Sequence, residues 1–165
     1  MKRLLRNCLI FSALLFALSD HAYAVDVFGI ELSTTSLSAF LEKKSADATL
    51  RKLPVKQGYI KTGYSIETPD SAYPSLRRAG FMFDRNDMLC MVLLELSHDE
   101  FDTQAAQAKK LYKLTDEDSS TLIHRRAYFS SGSDKIQIDS ESNRPYMYIM
   151  FMNEGFKKEV DARNR

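Results

Sequence analysis

Histidine and cysteine are scarce in this chain. Its 165 residues include three histidines and two cysteines. Nucleophilic catalysis by a triad needs a base that accepts a proton near neutral pH, and histidine is the side chain best suited to that task. The sequence also contains no G-x-S-x-G pattern. We therefore predict that the protein is not an enzyme, and we expect neither catalytic residues nor a cofactor.

A long apolar segment is also lacking. The run from Leu9 to Leu18 is too short to cross a bilayer as a helix. Basic residues precede this run and a small-x-small pattern follows it: Lys2, Arg3 and Arg6, then Ala22, Tyr23 and Ala24. This order is typical of a secretory signal peptide. We predict that residues 1–24 are removed, that the mature chain begins at Val25, and that the protein is periplasmic with no membrane span.

The two cysteines bear on whether the chain carries a lipid anchor and whether it can form a disulfide. A lipoprotein signal acylated at Cys8 and an uncleaved anchor are the alternatives to a cleaved signal, but Cys8 precedes the apolar run and no second apolar span follows. Without residues 1–24 only Cys90 is left, so no intramolecular disulfide can form. Cys90 lies within MLCMVLLEL, where we expect a buried, inert thiol.

Neither sign of charge dominates. The chain has 23 lysines and arginines against 22 aspartates and glutamates, a formal net charge of +1. Nucleic acid partners usually require a clear basic excess, so we expect none. The length of the segment 25–165 suits one domain with its own core.

Two similar stretches indicate a repeated architecture: VDVFGIELSTTSLSAFLEKK from Val25 and LLELSHDEFDTQAAQAKKLY from Leu93. In each, an alternating, strand-like run leads to residues suited to cap a helix, at positions 33–35 and in a capping box from Ser97 to Glu100. Apolar residues at helical spacing follow, then extended segments. The sequence predicts an α+β domain with a mainly antiparallel sheet, two principal helices and a short C-terminal helix, in units spanning 25–96 and 93–165.

The last strand of each predicted unit is apolar on both faces. These strands are MLCMVLLEL and YMYIMFM. Central strands covered on both sides have this composition. Helices would cover one side, and a second layer, another protein or a second copy in a homodimer would cover the other.

The secreted size and the tandem helix-then-strands units resemble small periplasmic inhibitor and adaptor domains, typified by β-lactamase-inhibitory-protein-like domains and the assembly lipoprotein BamE. The chain departs from them in having one helix per unit, no disulfide pairs and no lipobox, so no functional residue carries over. The resemblance implies binding of another envelope or secreted protein across a sheet face, without catalysis.

The segment TPDSAYPSLRR is the strongest candidate for recognition. Tyr73 lies between Pro69 and Pro74, which reduce the entropy lost when a loop is ordered. An amphipathic aromatic residue on such a loop is a good interface anchor. The alternative is an irregular surface crossover.

Two arginine pairs are expected at the start of corresponding strands, where they would form a basic edge: Arg77 with Arg78, and Arg125 with Arg126. As a functional site they would contact an acidic protein or an anionic envelope polymer through charge-assisted hydrogen bonds. The alternative is that they are solvated or discourage edge pairing.

Methionine is frequent in the predicted strands, which raises the possibility of a copper or small-ligand carrier with thioether ligands. Methionine is also a common core filler, and we favour that interpretation, with no metal bound. The stretch TDEDSS lacks the glycine and the distal glutamate of a calcium loop. We expect it to be a solvated linker.

Overall fold

A computed structural model describes residues 25–55, 58–67, 74–118, 121 and 123–163. The strands are β1 Asp26–Val27, β2 Ile30–Glu31, β3 Arg51–Leu53, β4 Ile60–Glu67, β5 Leu76–Asp84, β6 Leu89–Ser97, β7 Lys113–Asp118, β8 His124–Ser131, β9 Asp134–Glu141 and β10 Tyr146–Met152. The helices are α1 Leu37–Lys44, α2 Phe101–Leu111 and α3 Glu154–Arg163, with a 3₁₀ turn at His98–Glu100. The predicted signal peptide, residues 1–24, lies outside the described residues.

Eight strands form one antiparallel sheet in the order β3-β4-β5-β6-β10-β9-β8-β7. The two most apolar strands, β6 and β10, are neighbours at its centre. Strands β1 and β2 form a separate hairpin. The prediction of an α+β domain with a mainly antiparallel sheet is confirmed. None of the described helices has the length and apolar character needed to span a bilayer.

The main core lies between one face of the sheet and the helices α1 and α2. Strand residues of alternating position face it, such as Val92 and Leu94 of β6 and Ile149 of β10. Phe40 is the buried residue of α1. Helix α2 contributes Phe101, Ala105 and Ala108.

A second, smaller cluster lies on the opposite face, beneath α3. It consists of Cys90, Met152 and Phe156, with partly buried neighbours Tyr59, Ile60, Met82, Met91, Met150 and Val160. Helix α3 begins at the cap residue Asn153, whose Oδ1 accepts a hydrogen bond from the Phe156 amide at 2.8 Å. This helix has 10 residues against the 8 of α1, so the prediction of two principal helices with a short C-terminal helix is not confirmed.

The start of each predicted unit differs from expectation in its local geometry. Phe28 and Gly29 both have positive φ, at 59° and 73°, so the chain turns here and the expected first strand is a small hairpin instead. Ser36 caps α1 by accepting a hydrogen bond from the Ala39 amide at 3.2 Å. The Ser97 side chain makes no cap bond and donates to Asp99 instead.

The acidic stretch after α2 is also different. Residues Lys113–Asp118 form β7, an exposed edge strand paired with β8, rather than a solvated linker. Charged side chains on an edge strand discourage pairing with another chain.

Candidate functional site on the open sheet face

The sheet has one face covered by α1 and α2 and an opposite face that is partly covered by α3. The rest of that opposite face is not covered by any of the described helices. We call it the open face and define it by Arg77, Arg78, Leu93, Glu95, Arg126, Tyr128, Asp139, Tyr146 and Tyr148. Along the inner strands these residues alternate with side chains of the main core, so they point to the other side. Leu93 and the three tyrosines are half-buried and lie outside both apolar clusters of the described residues.

Five of these residues stand side by side across five strands. Strand register places them directly opposite one another in the order Arg78, Glu95, Tyr148, Asp139 and Arg126. We call this line the charged row. Arg78 Nη2 is 2.7 Å from Glu95 Oε2, and Arg126 Nε is 3.0 Å from Asp139 Oδ2. An arginine–carboxylate pair therefore lies on each side of Tyr148.

The two signs of charge in this row are not equally accessible. The Arg78 and Arg126 side chains are 45% and 39% exposed, whereas the Glu95 side chain is 8% exposed. The hydrogen bond to Glu95 raises the pKa of Arg78. Because the carboxylates are covered and the guanidinium groups are exposed, an approaching molecule meets positive charge beside an aromatic centre.

Arg77 joins this surface through a bulge in β5. The register shifts between Leu76 and Arg78, so Arg77 is the extra residue. Its guanidinium carbon lies 4.2 Å from the centroid of the Tyr146 ring, a cation–π contact. Its Nε is 3.9 Å from Glu95 Oε1. The bulge thus places two consecutive arginines next to the same carboxylate.

Arg125 lies on the other face of the sheet. It is hydrogen-bonded to Asp102 of α2, and its guanidinium carbon is 4.2 Å from the centroid of the Phe101 ring. The hydrogen bond from Arg125 lowers the pKa of Asp102. Arg125 therefore links α2 to the sheet.

The four predicted arginines do not share one edge. Strands β5 and β8 each have a neighbour on both sides. Arg77 and Arg78 begin the third strand after α1, whereas Arg125 and Arg126 lie on the second strand after α2, so the two pairs do not occupy corresponding strands. The remaining predicted site residue, Tyr73, lies outside the described residues.

Two groups of side chains have ligand types that metals use. His124, Asp139 and Glu141 bring three candidate ligand atoms within 4.8 Å of one another at one end of the open face. Among the sulfur residues, Cys90 is fully buried and donates to the Met82 carbonyl at 3.3 Å. Burial raises the pKa of its thiol to about 12. The sulfur cluster therefore has the character of packed core.

No protein-family model matches the chain, and no curated protein or solved structure matches it. The open face is therefore the basis for assigning a function.

Sequence reasoning missed the residues that pair with the arginines. Glu95 is an acid within an otherwise apolar strand, which is a visible signal, because such a residue needs a partner when buried. Asp139 and Tyr148 carried no comparable signal. Their roles depend on which strands are neighbours and on the register between them.

Proposed function

We propose that the protein is a non-catalytic, protein-binding module of the inhibitor, immunity-type or adaptor kind that holds its partner on the open face. The observation that carries this proposal is the placement of Tyr148 between two ion pairs on inner strands of the sheet. Tyrosine and arginine are enriched at the energetically important centres of interfaces.

The partner that fits best is an envelope or secreted protein with an acidic surface around an apolar centre. The exposed groups of the open face are guanidinium groups, and its covered groups are carboxylates. An acidic partner would find positive charge at the rim and the aromatic rings of Tyr146 and Tyr148 at the centre. Complementary charge of this kind contributes specificity and association rate.

Preorganisation supports the same conclusion. Glu95 is held in the sheet and bonds to Arg78, so this arginine side chain is oriented before a partner arrives. Ordering of flexible side chains is one of the main costs of association. The exposed ion pairs add little to folding stability, since pairs in contact with water are typically worth at most about 1 kcal/mol.

We also propose that the chain consists of two related units. In this proposal α1 with β3–β6 is one unit, and α2 with β7–β10 is the other. Each is a helix followed by four antiparallel strands, and the units meet between β6 and β10. This helix-then-strands plan is the feature on which we base the proposed resemblance to periplasmic inhibitor and adaptor domains. Export through a cleaved signal peptide is a separate part of the proposal and rests on the sequence of residues 1–24. A metal carrier using the methionine-rich strands is less favoured, because those side chains pack beneath α3.

The test begins with capture of a partner from envelope extract by the full protein and measures its affinity for purified variants. Tyr148→Ala should weaken binding about 30-fold, which corresponds to about 2 kcal/mol for an interface anchor. Arg78→Ala should weaken it and reduce its salt dependence. Arg51→Ala removes an exposed arginine on β3 and is the matched control, expected to change affinity less than twofold.

Two outcomes would contradict the proposal. Unchanged affinity of folded Tyr148→Ala and Arg78→Ala for the captured protein would exclude the open face as the binding site. A homodimer in analytical ultracentrifugation that dissociates in Tyr148→Ala would show that a second copy, rather than another protein, covers this face.

A further inference from the structure

One histidine and two carboxylates converge at one end of the open face. His124 lies directly opposite Glu141 on the neighbouring strand, and Asp139 is two residues earlier on the same side. His124 Nε2 is 3.2 Å from Glu141 Oε1 and 3.4 Å from Asp139 Oδ1. Within the described part of the chain, this nitrogen is buried and makes no hydrogen bond. It faces both carboxylates without the geometry of a hydrogen bond to either.

The two carboxylates are oriented through their other oxygens. Arg126 Nε donates to Asp139 Oδ2 at 3.0 Å, and Arg144 Nε is 2.7 Å from Glu141 Oε2. Residues that hold metal ligands in place through their second atom are a common feature of metal sites. Asp139 Oδ1 and Glu141 Oε1 are therefore the oxygens directed at the histidine.

We propose that His124, Asp139 and Glu141 bind a divalent cation, with zinc as the best fit. Zinc ligands at about 2.0–2.2 Å in tetrahedral geometry are about 3.3 Å apart. The two distances from His124 Nε2 match this spacing. One imidazole and two carboxylates form a mixed nitrogen and oxygen set that suits zinc better than magnesium or calcium. Water or a partner side chain supplies the fourth ligand.

Isothermal titration of the full protein with zinc chloride, and separately with magnesium chloride, tests this site. We expect one zinc per chain at micromolar or tighter affinity and no comparable magnesium binding. His124→Gln and Glu141→Gln should each weaken zinc binding at least about 100-fold, and Arg144→Ala about 10-fold or more, because it removes an orienting partner. His98→Gln changes another histidine and should leave zinc binding unaltered.

Absence of zinc binding up to millimolar concentration would overturn this proposal. Zinc binding that persists in folded His124→Gln and Glu141→Gln would also overturn it. Both results are independent of the partner experiment, which needs no added metal.

A different observation concerns Val25, the first described residue. Val25 is 4% exposed and belongs to the main core, and its carbonyl accepts a hydrogen bond from the Leu32 amide at 2.9 Å. Its own backbone nitrogen donates to Asp134 Oδ2 at 3.2 Å. The residue predicted to follow the cleavage site is thus held in place by the fold, with its nitrogen directed at a carboxylate.

Asp134 is in an unusual position for an acid. It is 4% exposed, and no side chain of the described residues forms an ion pair with it. Burial raises the pKa of this carboxyl, while the hydrogen bond from Val25 and the charge of Lys135 act in the opposite direction. A buried carboxylate is costly without an opposite charge beside it.

We infer that Asp134 is the binding site for the new amino terminus, an inference that rests on the predicted signal peptide. Hydrolysis of the Ala24–Val25 peptide bond consumes one water, leaves a carboxylate on Ala24 and converts the Val25 nitrogen into an amine. That amine is protonated at neutral pH. The resulting ammonium group lies next to Asp134 and supplies an opposite charge in direct contact with its carboxylate. Processing therefore stabilises the folded chain.

Insertion of one glycine between Ala24 and Val25 tests this pairing in the full, exported chain. The insertion keeps the cleavage motif but displaces the new ammonium group by one residue. The processed wild type should melt at least about 5 °C above the processed insertion variant, because loss of one partner exposes the cost of a buried charge. In an Asp134→Asn background the same insertion should have little effect.

Intact mass separates the possible failures. A chain that retains residues 1–24, or is cut elsewhere, would overturn the inference at the processing step. Correctly processed proteins with equal melting temperatures, or an insertion effect that persists in Asp134→Asn, would overturn the pairing itself. The melting-temperature results are independent of partner binding at the open face, whereas a failure of processing would also contradict the proposed export.

Discussion

Replacement of Phe40 tests how much the fully buried side chain of α1 contributes to holding this helix on the sheet. Phe40 is fully buried and is the buried residue of this helix. Its ring centroid lies 4.9 Å from that of Phe81, 5.2 Å from Phe83 and 5.8 Å from Tyr64. Truncation of a buried phenylalanine to alanine typically costs about 3–5 kcal/mol, and loss of the aromatic contacts favours the upper half of that range. We expect Phe40→Ala to lower the free energy of unfolding by about 4 kcal/mol.

Urea unfolding followed by circular dichroism would measure this change. The transition midpoint should fall while its slope stays constant, as for a loss of stability without a change in the surface exposed on unfolding. Leu111→Ala is the control, because this α2 side chain is 38% exposed and should change stability by at most about 0.5 kcal/mol. A loss below about 1 kcal/mol in Phe40→Ala would refute the packing of α1 on the sheet.

Three further predictions follow from individual side chains. Cys90 should react with a thiol reagent only after unfolding, since its thiol is buried and its pKa is raised to about 12; rapid labelling of the native protein would contradict this. Arg125→Ala should lower the free energy of unfolding by about 1 kcal/mol. Part of this difference in stability between wild type and variant should disappear as the pH falls through the lowered pKa of Asp102, whose ordinary value is 3.8. The sign follows from the lowered pKa of the Asp102 carboxyl. Its charged form stabilises the folded protein at pH values above the unfolded-state pKa, and this contribution is lost as the carboxyl is protonated. Tyr73→Ala should change the free energy of unfolding by at most about 0.5 kcal/mol, and so leave the melting temperature nearly unchanged, but weaken partner binding. A large loss of stability would place the ring in the core.

Local pattern was sufficient for much of the sheet. The apolar runs MLCMVLLEL and YMYIMFM predicted two central strands, and the structure contains them as β6 and β10. This prediction depends on composition within about ten residues, so it can be made without knowing the fold. The buried environment of Cys90 could be predicted for the same reason.

Weak local signals led to errors where tertiary pairing decided the outcome. Strand β7 contains Asp116, Glu117 and Asp118, which individually disfavour strands, yet an exposed edge tolerates their charges and β8 supplies the hydrogen bonds. The cap of α1 is Ser36 rather than one of the predicted residues 33–35, because the chain first turns at Phe28 and Gly29. Several hydroxyl residues could have served as the cap, and the preceding turn selects among them.

The amino-acid sequence alone determined that this chain forms an antiparallel sheet with helices, because hydrophobic period is a local property. Only the tertiary structure decided which side chains share a surface. Arg78, Glu95 and Tyr148 meet because β6 pairs with both β5 and β10, in a register that places the three residues directly opposite one another. A shift of one residue would direct each of these side chains to the opposite face. Strand order and register are set by packing over the whole domain, and so is the candidate site.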